Sequence, residues 1–136
     1  MLDSNVLVSG LRSRRGASYR LLGLVGTGRF TTVVSVPLVV EYEQALLDPA
    51  HGLPFGAGEV RRFIDYFCTV SNRRKVHFLW RPFLRDPSDD MVLEAAVAGQ
   101  CKHIVTFNVR DFAAVERFGI RVLPPSEFLK TLGVRK

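Results

Sequence analysis

The chain opens on Met1–Gly10, MLDSNVLVSG, where an acid and an amide stand inside an otherwise apolar stretch. Asp3 and Asn5 follow two apolar residues and precede an apolar run from Val6 to Val8. The first strand of a globular domain buries its side chains, and a buried carboxylate costs free energy unless it is hydrogen-bonded or accompanied by a cation. We therefore expect Asp3 to end the first strand and to hold a partner there.

Length and composition favour one compact domain over residues 1–136. With 47% hydrophobic residues in 136 and a mean hydropathy of +0.12, the chain suits a fold that buries roughly two thirds of its unfolded surface. No apolar run approaches the roughly 20 residues that cross a bilayer. The first residues also lack a signal-peptide pattern. We expect a cytoplasmic protein without a membrane partner.

The charge balance points to an anionic polymer as the partner. Lysine and arginine number 19 against 13 acids, a net charge of +6. Each basic group alone is as well explained by a solvated surface, but together they suit a phosphate backbone. The groups are Arg12, Arg14 and Arg15; Arg61 and Arg62; and Arg73, Arg74 and Lys75.

Hydrophobic periodicity alternates between strand and helix along the chain. It predicts strands over 31–36, 75–80, 103–107 and 120–123, with a loop over 81–88. It predicts helices over 17–28, 37–47, around 60–67, over 88–99 with Ser88 as N-cap, over 111–118, and over 126–132 with Ser126 as N-cap. Alternating strands and helices predict an α/β fold with a mostly parallel central sheet between two helical layers, a three-layer α/β/α sandwich.

Ligands of such sheets bind beyond the carboxyl ends of the strands. The polar residues predicted to meet at that edge are Asp3, Glu41, Asp89, Asp90, Asn108 and Asp111. Glu41 is the most informative, because it follows the apolar run from Pro37 to Val40. Several carboxylates in one pocket cannot all ionise unless a cation bridges them, and Mg²⁺ prefers such oxygen ligands. An ion held there can activate water for attack on a phosphodiester.

Five motifs in this order resemble those of PIN-domain proteins, above all the toxin components of prokaryotic toxin–antitoxin pairs. They are Asp3–Ser9, Val39–Tyr42, Asp86–Asp90 followed by Leu93–Ala96, Val105–Phe112, and Gly119–Leu129. The resemblance implies a Mg²⁺- or Mn²⁺-dependent ribonuclease that uses one or two ions. It also implies a homodimer silenced by a small antitoxin protein.

The resemblance carries residue roles as well. Asp3, Glu41 and Asp90 match the metal-binding carboxylates, with Asp89 as a competing assignment. Ser4 and Asn5 would shape the metal shell, and Thr106 would orient the substrate or a water. Arg12, Arg14 and Arg15 are expected to contact RNA. Replacing Asp3 with Ala is expected to abolish cleavage with little loss of fold.

The chain departs from the family pattern in the fourth motif and in the first strand. Asn108 stands where many members have an acid, so a second metal would be held less tightly unless Asp111 substitutes; Asp111 could equally cap the helix that it precedes. Only two residues precede Asp3, so we expect a short first strand, for which a start assigned too late is one explanation.

Two other functions remain open. A catalytically weak or inactive PIN-like module would bind RNA or a protein without needing metal. A phospho-acceptor receiver domain ranks last. Such a domain needs two adjacent acids after the first strand, and this chain has a single acid there.

Overall fold

A computed structural model of the chain describes residues 1–75 and 87–134. Short strands alternate with helices along it. The α-helices are α1 (Ser4–Arg12), α2 (Ala17–Leu24), α3 (Val36–Leu47), α4 (Ala57–Val70), α5 (Pro87–Ala98) and α6 (Pro125–Thr131). The strands are β1 (Val33–Val34), β2 (Asn72–Arg73), β3 (His103–Val105) and β4 (Arg121–Leu123), and 3₁₀-helices span Pro49–His51 and Val109–Phe118.

All strand pairing in the described residues is parallel. β1 pairs with β2, β3 pairs with β4, and Leu2 forms a single parallel bridge to Val105. The α/β class expected from the sequence is confirmed. The described strands form two separate two-stranded sheets, so one central sheet between two helical layers stays a prediction.

The chain start lies along β3. The Asp3 amide donates to the Val105 carbonyl at 2.9 Å, and the Val105 amide donates to the Met1 carbonyl at 2.8 Å. The strand expected at the chain start is reduced to this single bridge, because α1 begins at Ser4 directly after the pairing. The apolar run from Val6 to Val8 is buried within α1. Asp3 therefore stands where a strand-like segment turns into a helix.

Helix α3 is anchored to this segment through Tyr42. Its buried residues Leu38, Tyr42 and Leu46 recur every four positions, so they form one face. The Tyr42 hydroxyl donates to the Leu2 carbonyl at 2.5 Å, and its ring meets Phe67 of α4 edge-on at 5.6 Å. α3 thus joins the chain start to α4.

The strand predicted over 31–36 is shorter in the structure. Ser35 is the N-cap of α3, and its Oγ accepts the Leu38 amide at 3.3 Å. The helix therefore begins at Val36, one residue before the expected Pro37, and only Val33–Val34 remain as strand. The strand predicted over 75–80 is wrong at Lys75, since β1 pairs with Asn72–Arg73 instead; residues 76–80, like the loop residues 81–86, lie outside the described residues.

Several predicted helix ends are also wrong. α2 ends at Leu24 rather than at residue 28, because the backbone leaves the helix before Gly26 and Gly28, both at positive φ. α5 begins at Pro87 and α6 at Pro125, so Ser88 and Ser126 lie in first turns and are not N-caps. Proline suits this first position because it has no amide hydrogen to lose.

The helix predicted over 111–118 is a 3₁₀-helix that begins at Val109. Phe112 and Val115 bury its inner side, and Gly119 ends it at a φ of 78°. The helix predicted around 60–67 is confirmed, with Val60, Ile64 and Phe67 buried in α4. Within residues 1–75 and 87–134, no helix is long and apolar enough to cross a membrane.

Candidate active site

The Asp3 carboxylate is buried and held at both of its oxygens. Asp3 is 5% exposed and is the N-cap residue of α1. Its Oδ1 accepts the Ser4 amide at 2.8 Å, and its Oδ2 accepts the Thr106 hydroxyl at 2.7 Å. The amide dipoles at the start of α1 also favour a negative charge there. The carboxylate is therefore fixed in direction.

Thr106 is the centre of the hydrogen bonds around Asp3. It follows β3 and is fully buried. While donating to Asp3, its Oγ accepts the Asn108 amide at 3.0 Å and the Asn5 Nδ2 at 3.4 Å. A hydroxyl has one hydrogen to donate and two lone pairs, so its capacity is used. The structure therefore brings together Asp3, Asn5 and Thr106, three residues that the sequence assigns to one site.

A second set of buried acids lies on α5. Asp90 is 1% exposed, Asp89 is 6% exposed, and Glu94 is 3% exposed. Both Asp89 and Asp90 are buried, so burial does not show which of them is the ligand. Asp90 and Glu94 are four residues apart and therefore share one helix face. Asp86 of the same motif lies outside the described residues.

Glu94 is a candidate that sequence reasoning missed. Its signal was available, since it is the one acid in the run Met91–Ala98, which is otherwise apolar. A buried carboxylate on such a helix needs hydrogen bonds or a nearby cation. We count Glu94 with the α5 acids as a candidate ligand or positioning residue.

Glu41 lies on helix α3, which packs against the helices that carry the other acids. α3 packs against both α1 and α5, and Glu41 is half-buried beside its apolar face. Burial raises the pKa of the neighbouring Tyr42 well above its ordinary value, and the negative charge of Asp3 adds to this effect. The negative charge of Asp3 therefore acts on Tyr42, the residue that follows Glu41 in α3.

Two predicted residues of the fourth motif are exposed. Asn108 precedes the 3₁₀-helix and its side chain forms no cap hydrogen bond there. Asp111 is an exposed residue of the first 3₁₀ turn, and its amide donates to the Asn108 carbonyl at 3.0 Å. The alternative that Asp111 caps a helix it precedes is wrong, because that helix begins at Val109.

An open cleft of about 380 Å³ runs along α1, whose first residues Ser4 and Asn5 follow Asp3 directly and line the cleft. Its walls include Ser4, Asn5, Arg12, His51 and Phe107. The Phe107 side chain is 51% exposed, and its amide donates to Asn5 Oδ1 at 3.4 Å. Arg14 and Arg15, also expected to contact RNA, are exposed on the turn after α1, outside this wall. Sequence reasoning missed Phe107, whose exposure directly after a buried strand has no signal in periodicity.

The donor chemistry of the site fits a hard divalent cation. Carboxylate oxygens are the ligands that Mg²⁺ and Mn²⁺ prefer. The described residues contain no group of three or more His, Cys, Asp or Glu side chains placed to hold a metal. Mg²⁺ commonly binds through one or two carboxylates and keeps several waters. Asp3 therefore suits such an ion, although a complete set of protein ligands is not assembled here.

The fold and site define an α/β protein with one buried acid, Asp3, at the end of a segment that pairs in parallel with β3, and three more buried acids on α5. The family model described as PIN domain matches residues 1–110, and the chain belongs to the PIN domain family. A search of curated proteins found no match. PIN domains are generally nucleases that use divalent metals, and they often act as toxins paired with antitoxins.

Proposed function

We propose that this protein is a metal-dependent endoribonuclease that hydrolyses RNA phosphodiester bonds, and that it is the toxin of a toxin–antitoxin pair. The observation that carries the proposal is the Asp3 carboxylate, which is buried and bonded at both oxygens, and which Ser4 and Asn5 follow in the wall of an open cleft that also contains an arginine. Family membership supports the reaction class. The net charge of +6 supports a polyanionic substrate.

The proposed ligands of the metal are Asp3, Glu41 and Asp90, with Asp89 as the alternative to Asp90 and Asn108 as a neutral ligand of a second ion. A bound Mg²⁺ or Mn²⁺ lowers the pKa of a water and neutralises charge on the leaving oxygen. The chain's own residues position these groups. Thr106 and the start of α1 orient the Asp3 carboxylate, and Asn5 links both to the cleft.

The burial of the acids supports the same assignment. Asp3, Asp89, Asp90 and Glu94 are all at most 6% exposed, and α3, which carries Glu41, packs against both α1 and α5. A divalent ion held by carboxylates of these elements would bind the folded protein and not the unfolded chain, so metal binding should stabilise the folded protein.

We further propose the remaining features that the resemblance implies. The chain would be a single domain over residues 1–136 with a three-layer α/β/α arrangement, acting in the cytoplasm as a homodimer. Its partners would be RNA and a small antitoxin. Size-exclusion chromatography of the protein alone and with the product of a neighbouring small gene would test the dimer and the antitoxin separately.

Cleavage of a mixed pool of structured and single-stranded RNAs tests the function. The purified protein is incubated with Mg²⁺, with Mn²⁺ or with EDTA, beside Asp3→Asn prepared identically. We expect metal-dependent products that are absent with EDTA and absent from the variant. Equal products with EDTA, or equal products from Asp3→Asn, would overturn the proposal.

A second candidate is a PIN-like module that binds RNA without cutting it. The exposed, neutral Asn108 and the lack of a three-acid group among the described residues favour it. This function predicts salt-sensitive RNA binding that divalent ions do not strengthen and no cleavage under any metal. If the protein binds RNA without cleaving it, the variant Asn108→Asp tests whether the missing negative charge at this position accounts for the absence of cleavage.

A further inference from the structure

Phe107 is a large apolar side chain exposed at a position where the chain has little freedom. It is 51% exposed, although Thr106 before it is fully buried. The Phe107 amide donates to Asn5 Oδ1 at 3.4 Å, and the Asn108 amide after it donates to Thr106 Oγ at 3.0 Å. The backbone on both sides of the ring is thus bonded to Asn5 and Thr106, and Thr106 also donates to Asp3. The ring is presented from a fixed segment.

The cleft beside Phe107 combines aromatic, cationic and polar groups. Arg12 at the end of α1 contributes a guanidinium, and Ser4, Asn5 and Ser9 contribute polar side chains from the same helix. His51 forms part of another wall, where its Nδ1 donates to the Ala45 carbonyl at 2.6 Å. The volume of about 380 Å³ lies within the range of small-ligand pockets, and it is large enough for one nucleotide.

We propose that this cleft binds one nucleotide of single-stranded RNA, with its base stacked on Phe107 and an adjoining phosphate at Arg12. Aromatic rings beside cationic groups are the usual means of holding single strands, because every base has a face to stack. In a duplex the base faces are covered by neighbouring pairs, so the cleft would discriminate against double-stranded RNA.

This subsite deepens the proposed function by naming the residues that would hold one base and its phosphate. Ser4 and Asn5 belong both to the cleft wall and to the hydrogen bonds around Asp3. Asn5, which accepts the Phe107 amide, and Thr106, which donates to Asp3, connect the position of the base to the carboxylate. The placement of the scissile bond rests on the proposed function, whereas stacking in the cleft does not.

Binding without chemistry tests the subsite. Fluorescence anisotropy in EDTA measures the affinity of a short labelled single-stranded RNA for the wild type and for Phe107→Ala, Phe107→Trp and Phe118→Ala. Phe118 is a matched control, since it is a phenylalanine 40% exposed at the end of the 3₁₀-helix. We expect Phe107→Ala to weaken binding roughly 5- to 100-fold, and we expect Phe107→Trp and Phe118→Ala to bind as the wild type does.

Two further probes identify the interaction as stacking at this position. An RNA with abasic sites should bind the wild type weakly, and Phe107→Ala should not weaken it further. A duplex of the same sequence should be insensitive to Phe107→Ala. Arg12→Ala should reduce the salt dependence of binding by about one phosphate contact, whereas Phe107→Ala should leave that dependence unchanged.

The inference is overturned if Phe107→Ala binds single-stranded RNA as tightly as the wild type, if abasic and intact RNA bind equally, or if the wild type binds no RNA in EDTA. Failure of the proposed function looks different. Intact base-dependent binding without any metal-dependent cleavage would reject the nuclease and keep the subsite. Cleavage that requires Asp3, with RNA binding and cleavage unchanged in Phe107→Ala, would keep the nuclease and reject the subsite.

Discussion

Asp3 combines a structural role with the proposed chemical one. Its carboxylate caps α1 and accepts the Thr106 hydroxyl, so removing it costs about 0.5–2 kcal/mol of stability for the cap alone. The sequence-based expectation that Asp3→Ala leaves the fold nearly untouched ignores this cap. Asn keeps a capping oxygen and removes the charge, and Asp3→Asn is therefore the more informative variant.

Thr106→Val tests whether the hydroxyl positions the carboxylate. Valine keeps the shape but removes the group that bonds Asp3, Asn5 and the Asn108 amide. Because buried partners then lose their hydrogen bonds, we expect the free energy of unfolding to fall by about 1–3 kcal/mol. Cleavage should fall roughly 10- to 100-fold, as on loss of a residue that supports a metal ligand. Urea denaturation and single-turnover cleavage measure the two effects.

Thr106→Ser is the matched control, since it restores the hydroxyl without the methyl group. A positioning role predicts that serine recovers most of the cleavage, even if some stability is lost with the methyl group. Equal cleavage by the valine and serine variants would show that the hydroxyl has no part in positioning Asp3.

The proximity of Asp3, Asn5 and Thr106 was predictable from the resemblance to PIN-domain motifs, which assigned all three to one site. Sheet geometry alone placed Asp3 at the edge where strand ends meet, but it did not single out Asn5 or Thr106. Phe107 was missed because its role depends on which side of a turn is buried, and tertiary packing decides this. Glu94 was missed although the sequence carried its signal, a single acid within an apolar helix.

At the scale of elements, α3 is the connection between the acidic site and the rest of the core. Tyr42 joins it to the Leu2 carbonyl one residue before Asp3 and stacks edge-on against α4. Glu41 precedes Tyr42 directly. A change in the anchoring of this helix therefore affects both the chain start and a proposed metal ligand.

Tyr42→Phe should destabilise the protein by about 1–3 kcal/mol, because the buried Leu2 carbonyl loses its donor. Chemical denaturation measures this. Tyr66→Phe is the control, since Tyr66 is 52% exposed and donates to the Val25 carbonyl at a longer 3.3 Å; we expect its effect to stay within about 0.5 kcal/mol. A loss in Tyr42→Phe no larger than that of the control would contradict the anchoring role.

Element types were largely predictable from periodicity, whereas element ends were not. The face formed by Leu38, Tyr42 and Leu46 has helical spacing in the sequence alone. The start of α3 depends on the side chain of Ser35, which accepts the Leu38 amide and caps the helix. The starts of α5 and α6 depend on prolines that serve as first residues. Such choices are local geometry, which hydrophobic spacing does not specify.

At the scale of the whole molecule, the net charge of +6 predicts that RNA binding weakens strongly with salt. A cationic protein releases counterions from the phosphates that it neutralises. The basic groups lie on different parts of the surface: Arg12 in the wall of the cleft along α1, and Arg73, Arg74 and Lys75 at another cleft, lined by Val36 and Val39.

Two triple variants of equal charge compare these groups. Arg12→Gln with Arg14→Gln and Arg15→Gln should lower the slope of log affinity against log salt by up to about 2 and slow cleavage. Arg73→Gln with Arg74→Gln and Lys75→Gln removes as much charge and should change cleavage less. Equal losses in both variants would show that total charge, and not the group after α1, governs RNA binding.

Fold class and family were predictable at this scale because alternating elements and ordered motifs extend over nearly the whole chain. The family match over residues 1–110 confirms that prediction. The arrangement of the sheet was less predictable. Its described strands are only two or three residues long, and short strands leave lateral pairing to tertiary contacts.

The measurement that tests the central claim most directly is the single-turnover cleavage rate of one defined single-stranded RNA as Mn²⁺ is titrated from zero. Wild type and Asp3→Asn are compared after circular dichroism has shown that both are folded. We predict a rate that saturates with Mn²⁺ and returns to zero in EDTA. In Asp3→Asn the rate should fall by more than the roughly 10- to 100-fold that loss of a supporting residue costs. A rate independent of Mn²⁺, or a folded Asp3→Asn that cleaves as fast as the wild type, would contradict a metal-dependent nuclease centred on Asp3.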